Sequence, residues 1–168
     1  LANPGQAVTQ VYELLEENGT VYTIMEYVEG ISLDAYLTQN KNRFPVGRIQ
    51  VLIQPLLADF ARLQEMGFIH GNISPDNLIF SNAGSLKLTG FGYVQGKVSL
   101  KSDAYAAVEM FQTQQPVSMS ADVYALCASI YRCITGAAPQ EAYRRMSQDM
   151  LQKPSALGVE IPTSTESA

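Results

Sequence analysis

One short stretch, His70-Gly71-Asn72-Ile73-Ser74-Pro75-Asp76-Asn77-Leu78, places a histidine, two amides, a hydroxyl and a carboxylate within nine residues. His70 is the only histidine of the chain, which invites a catalytic or metal-binding role, yet no second metal ligand is at hand. Asn72 carries an amide, which is not a useful base near neutral pH. Asn77 offers one neutral amide oxygen, a poor site for magnesium, a hard cation that prefers anionic oxygen ligands. Further on, Gly90-Phe91-Gly92 invites a glycine-rich nucleotide loop. The next glycine is Gly96, one residue late for G-x-G-x-x-G, and no helix signal follows.

The elements that must position these groups are legible from pattern. Residues 8–15 and 20–25 read as strands, rich in Val, Tyr, Thr and Ile. Asn18-Gly19 between them is a hairpin signal, since both residues tolerate positive φ. Ser32 can cap a short helix running through Leu37. Pro45 opens a long helix whose apolar residues Ile49, Leu52, Ile53, Leu56, Leu57, Phe60 and Leu63 step by three and four. Gly67 ends it, and Pro55 inside it predicts a kink. Residues 78–80 and 85–88 read as a second hairpin around Asn82-Ala83-Gly84. A buried helix from about Ala121 ends at Gly136. Residues 140–150 read as polar and helical, and the Ser/Thr-rich tail from Pro154 as irregular.

The nine-residue stretch resembles the catalytic loop of eukaryotic-type Ser/Thr protein kinases, H-R-D-L-K-P-E-N-L. Asn72 then stands at the catalytic Asp, Ser74 at the Lys and Gly71 at the Arg. Thr89-Gly90-Phe91-Gly92 resembles D-F-G with Gly90 at its Asp. Residues 21–30 resemble the last small-lobe strand and the hinge. That places Met25 as gatekeeper, the backbones of Glu26 and Val28 at the adenine, and Ile79 beneath it. Tyr105-Ala106-Ala107-Val108-Glu109 resembles Y-x-A-P-E. Ser120-Ala121-Asp122-Val123-Tyr124-Ala125-Leu126 resembles S-D-V-W-S-L, and Ile134-Thr135-Gly136-Ala137-Ala138-Pro139 resembles L-T-G-x-x-P. These matches come in the family's order.

The resemblance implies an α+β, protein-kinase-like fold. Residues 1–30 are a partial small lobe and hinge, a β-hairpin remnant, and residues 31–168 a partial, mainly helical large lobe. No G-x-G-x-x-G precedes Val8 and no V-A-I-K lysine is present, so the chain reads as a fragment. It also implies that His70 packs beneath Phe91 and that Asp122 caps the catalytic-loop backbone. The other readings, a catalytic or metal role for His70 and an ordinary helix-start acid for Asp122, stand beside these. Ser102 falls at the position of a Thr that steadies the loop in that family, and reads equally as an ordinary loop serine. A phosphate on Ser99 or Ser102 would lack the Arg that Gly71 replaces, with only Lys97 and Lys101 near, so no phospho-switch is expected. Glu109 would lack its family arginine and should be partly exposed or meet Arg144 or Arg145.

Phosphoryl transfer relies on positioning and charge stabilisation. With neither carboxylate present, the expected function is that of a catalytically impaired pseudokinase acting as a binding or regulatory module. The alternatives are a weak Ser/Thr phosphotransferase using Asn77 alone for metal, and a regulatory segment of a larger receptor-like kinase. No cofactor is required; ATP and magnesium would bind weakly or not at all.

Apolar residues make up 46% and charged residues 16%, enough for a core and low for a free-standing surface. Net charge is -5 with no basic cluster, which argues against nucleic-acid or anionic-membrane partners. No apolar run reaches transmembrane length. Cys127 and Cys133 read as reduced, buried and unpaired, suiting a cytoplasmic location. The expected partner is a protein. A two-stranded hairpin is marginal alone, so self-association through residues 8–25 is a further expectation, by way of a face carrying Val11, Leu15, Val21 and Ile24.

Overall fold

A computed structural model describes residues 5–40, 43–91, 93–94, 97–98, 103–111 and 117–166. Strands β1 (Val11–Glu17) and β2 (Thr20–Met25) form an antiparallel hairpin. Its turn is Asn18-Gly19 with φ of 53° and 69°, the left-handed pair that a two-residue hairpin loop requires. The hairpin face expected from the sequence is split by the register. Leu15 pairs with Tyr22 and Glu13 with Ile24, whereas Val21 lies opposite Glu16. Side chains alternate along a strand, so Leu15 and Ile24 share one side and Val21 lies on the other.

The first strand starts later than the reading of 8–15. Val8 instead forms a parallel bridge with Leu88. The Thr9 N–H donates to the Leu88 carbonyl at 2.9 Å and the Leu88 N–H to the Ala7 carbonyl at 2.7 Å. Ala7, Val8 and Thr9 are buried. Val8 is a good strand residue, but its partner lies some eighty positions away and leaves no local signal.

Strand β3 (Gly30–Ser32) leads into helix α1 (Leu33–Asn40). The Ser32 hydroxyl caps it, accepting from the Ala35 N–H at 3.2 Å. The long helix α2, Val46–Glu65, carries Pro55 within it. It buries Ile49, Leu56 and Leu63, with Leu52, Ile53 and Phe60 packed against the core. Leu57 is exposed; one residue on from Leu56, it sits about 100° round the helix. Strands β4 (Leu78–Ser81) and β5 (Leu86–Leu88) pair with β3 in the order β3-β4-β5. A ribbon of β6 (Tyr93–Val94) and β7 (Lys97–Val98) follows.

Helix α3 (Met119–Thr135) buries Ala121, Asp122, Ala125, Leu126 and Cys133 among others and ends at Gly136 in the left-handed conformation. Cys133 is buried and free, whereas Cys127 is exposed, against the expectation for it. Residues 140–150 are not one helix: only α4, Ala142–Arg145, forms. The Gln140 side chain folds the rest back, donating to the Gln148 carbonyl and accepting from the Met150 N–H. The tail is more regular than expected. It holds a 3-10 turn at Pro154–Leu157 and a short helix α5, Thr163–Glu166. The Glu166 carboxylate accepts from the N–H and hydroxyl of Ser155 and closes the two together. No helix among the described residues is long and apolar enough to cross a membrane.

Asp59 lies on the buried side of α2, and its Oδ2 accepts the Ala7 N–H at 2.7 Å. A Cβ on Gly5 would sit 1.8 Å from Asp59 Oδ1, so only glycine lets the backbone pass there. Arg62 approaches the same carboxylate at 3.6 Å but is exposed and adds little. Residues 5–9 are thus latched onto α2 and β5, and the hairpin follows from that latch. Asp59→Ala leaves a buried N–H unpaired. The expected cost is about 1–3 kcal/mol, with faster amide exchange across residues 7–9. Urea denaturation and hydrogen exchange read both; unchanged protection would contradict the latch.

Candidate functional site

The 70–77 loop carries no regular secondary structure and is buried apart from Asp76. Such a loop must find partners for its backbone. Asp122, in the first turn of α3, supplies two. Its Oδ2 accepts the His70 N–H at 2.7 Å and its Oδ1 the Gly71 N–H at 2.8 Å. Burial raises the Asp122 carboxyl above its usual range, outweighing the two hydrogen bonds that favour the anion. Asp122 is therefore the backbone cap of this loop.

His70 is likewise structural. Its ring packs on Phe91 with centroids 4.6 Å apart and planes tilted 34°. Burial lowers its pKa to about 3 against a weaker opposing pull from the Thr89 backbone, so the ring is neutral at physiological pH. Nδ1 accepts the Asn72 N–H at 3.3 Å.

Asn72, Asn77 and Gly90 meet. The Asn72 Nδ2 donates to the Gly90 carbonyl at 3.0 Å. The Asn77 Nδ2 donates to the Asn72 carbonyl at 2.7 Å, and the Asn77 carbonyl accepts the Thr89 N–H at 2.9 Å. Gly90 has φ of +76°, and a Cβ there would lie 2.9 Å from Asn77 Oδ1. The Asn72 side-chain amide and the Asn77 backbone carbonyl thus tie the 70–77 loop to residues 89–90. Ser74 is buried, and its hydroxyl has no hydrogen-bond partner among the described residues. Among the described residues no group of three or more His, Cys, Asp or Glu could hold a metal.

The residues expected at a hinge and adenine pocket are Met25, Glu26, Val28 and Ile79. Met25 is half-buried, and its sulfur accepts from the Thr89 hydroxyl at 3.4 Å. The Glu26 N–H donates to the Gln10 carbonyl at 2.8 Å. Its carboxylate turns to Lys87, which holds the Glu26 pKa below its ordinary value. Val28 is half-buried, as is Ile79, which pairs with Ser32 and Lys87 in the sheet. Glu109 is half-buried and accepts from the Ser120 hydroxyl at 3.2 Å. Arg145 pairs instead with Asp149 at 3.0 Å, and Arg144 with Glu141. Ser99, Lys101 and Ser102 lie outside the described residues.

Residues 3–166 match the family model of the protein kinase domain. This chain belongs to that family. Its kinase-domain sequence is 26% identical over 140 residues to the serine/threonine-protein kinase PrkC of Bacillus subtilis, covering 79% of this chain and 22% of that protein. It is 25% identical over 164 residues to the maternal embryonic leucine zipper kinase of Danio rerio, covering 89% and 24%. With PknL of Mycobacterium tuberculosis the identity is 26% over 161 residues, covering 86% and 40%. The chain thus spans well under half the length of these curated relatives. The solved structure "PpkA-294 apo form" superposes with a TM-score of 0.71 at 24% identity, over 90% of this chain and 56% of that one, a likeness of fold.

Two features of this kinase domain escaped the sequence reading. Asp59 as a latch left one trace, an acid inside the apolar stripe from Leu56 to Leu63. The second is the donor role of the Asn72 amide, for which the residue name alone carried no signal.

Proposed function

We propose that this kinase domain is catalytically impaired and serves as a binding or regulatory module. The observation that carries this reading is the Asn72 amide donating to the Gly90 carbonyl at 3.0 Å. The amide cannot take a proton from a substrate hydroxyl. Gly90 brings no ligand, and the donors around it are amide and backbone oxygens. A magnesium ion, which seeks carboxylates and phosphate oxygens, does not fit that set. The relatives named as Ser/Thr kinases support the kinship, while the substitutions argue against the chemistry.

The test uses the protein with ATP, with and without magnesium. Thermal melting should show no magnesium-dependent stabilisation, since a ligand raises stability only when it binds the folded state. Phosphate transfer to the protein itself or to a generic protein substrate should equal that of a heat-killed control. Magnesium-dependent transfer above that control would overturn the proposal and favour the weak phosphotransferase acting through Asn77.

A further inference from the structure

Arg144 and Arg145 are the one pair of consecutive arginines in the chain, and Ser147 follows two positions later. No other serine or threonine has arginine at both the second and the third position before it. The fold leaves this serine open. Helix α4 ends at Arg145, and the Arg144 carbonyl accepts the N–H groups of Ser147 and Gln148, each at 3.1 Å. Ser147 therefore stands one turn beyond Arg144, where side chains three apart are neighbours, with Cβ atoms about 5–6 Å apart. Ser147 is exposed, as are Arg144, Met146 and Gln148 around it. Its hydroxyl enters no hydrogen bond among the described residues. Other serines are held: Ser118 and Ser120 bond one another, Ser155 bonds Glu166, and Ser74 and Ser129 are buried.

The two arginines differ in what they already hold. Arg145 grips Asp149 with two bonds, Nε to Oδ1 at 3.1 Å and Nη2 to Oδ2 at 3.0 Å. Arg144 meets the Glu141 carboxylate and the Tyr143 hydroxyl at Nε, and its side chain remains 63% exposed. A guanidinium carries five N–H donors, so Arg144 has capacity for a further anion.

We propose that Ser147 is a phosphorylation site, modified by an arginine-directed serine/threonine kinase with ATP as donor, and that Arg144 then holds the phosphate. The Ser147 Oγ attacks the γ-phosphorus, the bond to the bridging oxygen breaks to release ADP, and the hydroxyl proton passes to a base of the donating kinase. Such a kinase reads its substrate through acidic subsites complementary to the two arginines. Presenting them in extended form opens α4, four residues long, a helix too short to be stable by itself, and the two Gln140 bonds to residues 148 and 150. The phosphate brings a charge of about −1.5 to −2 and three acceptor oxygens. It outcompetes the single charge of Glu141 for the Arg144 fork. Glu141 and Asp149 are the carboxylates that oppose it; the phosphate displaces the first and leaves the Arg145–Asp149 pair in place. The inference goes beyond the binding-module reading and does not require it, since the phosphate comes from a second enzyme.

The experiment incubates the chain with ATP, magnesium and the purified catalytic subunit of a cyclic-AMP-dependent protein kinase, or with a casein-type kinase that reads acidic flanks. Products are mapped by mass spectrometry. The first kinase should phosphorylate Ser147 at least about tenfold faster than the second. Ser147→Ala should abolish that label and Ser147→Thr retain it at the same position. Arg144→Gln and Arg145→Gln should each slow the transfer about tenfold. Label confined to other residues, a rate that neither arginine variant changes, or a chain that stays unlabelled overturns the site. Once fully phosphorylated, the unmutated chain should lose its phosphate to a phosphatase severalfold more slowly than Arg144→Gln; equal rates overturn the docking on Arg144. Label at Ser147 without any added kinase refutes catalytic impairment and leaves the site standing. No label with the added kinase, and none without it, refutes the site alone.

Discussion

Gly90→Asp is expected to destabilise the domain and leave phosphate transfer at background. Gly90 adopts a φ of +76°, and an added Cβ would lie 2.9 Å from Asn77 Oδ1 and 3.2 Å from its Cγ. The left-handed backbone costs a residue with a Cβ about 1–2 kcal/mol. The carboxylate would also crowd an amide oxygen that it cannot hydrogen-bond when ionised. A total near 2–3 kcal/mol is expected, read as a lower urea midpoint with unchanged slope. Asn72→Asp fails for a related reason. The Asn72 Nδ2 is a donor to the Gly90 carbonyl, and a carboxylate in its place would set acceptor against acceptor. Only the protonated acid could restore that bond, so its folded pKa would be raised. The loss of stability is smallest below the unfolded carboxyl value, about 4, and grows as pH rises through the folded value. Turnover of either variant should stay below about 10⁻³ s⁻¹, against roughly 1–100 s⁻¹ for active kinases, because groups that act as a unit are not restored one at a time. Either single variant reaching ordinary kinase turnover would refute this account of the site.

Asp122→Ala should be the most damaging single change in the loop. Both carboxylate oxygens accept short bonds from buried backbone, at 2.7 and 2.8 Å. Removing them orphans two N–H groups at about 1–3 kcal/mol each, a loss of roughly 2–6 kcal/mol. The loop should lose its protection from amide exchange, and the His70–Phe91 stack should loosen with it. Asp122→Asn keeps one acceptor and should cost less. It also removes a titration. The Asp122 pKa is raised in the fold because burial outweighs its two hydrogen bonds. Its contribution to stability is therefore complete below the unfolded carboxyl pKa and declines as pH rises through the folded value. That decline should vanish in Asp122→Asn. A wild-type minus variant difference that does not change with pH would contradict the raised pKa.

Most of the local architecture was determined by the sequence alone. Asn18-Gly19 specified the turn, the Ser32 hydroxyl capped α1, and the apolar stripe from Ile49 to Leu63 oriented α2. Each is a short-range device acting within a turn or two of chain. The family motifs likewise placed His70 under Phe91 and Asp122 beneath the loop, and the geometry agrees. The tertiary structure alone decided what depends on partners far apart in sequence. Val8 left its strand pattern to pair with Leu88, and Asp59 turned inward to hold Ala7. In residues 140–150 only Ala142–Arg145 is helical, and the Gln140 side chain bonds the backbone of Gln148 and Met150 instead. The hairpin register, not composition, separated Val21 from Leu15 and Ile24. At the centre, the sequence singled out Asn72 and Gly90, and only the folded chain showed the Asn72 amide donating to the Gly90 carbonyl, because a hydrogen bond belongs to a pair of groups and not to either residue.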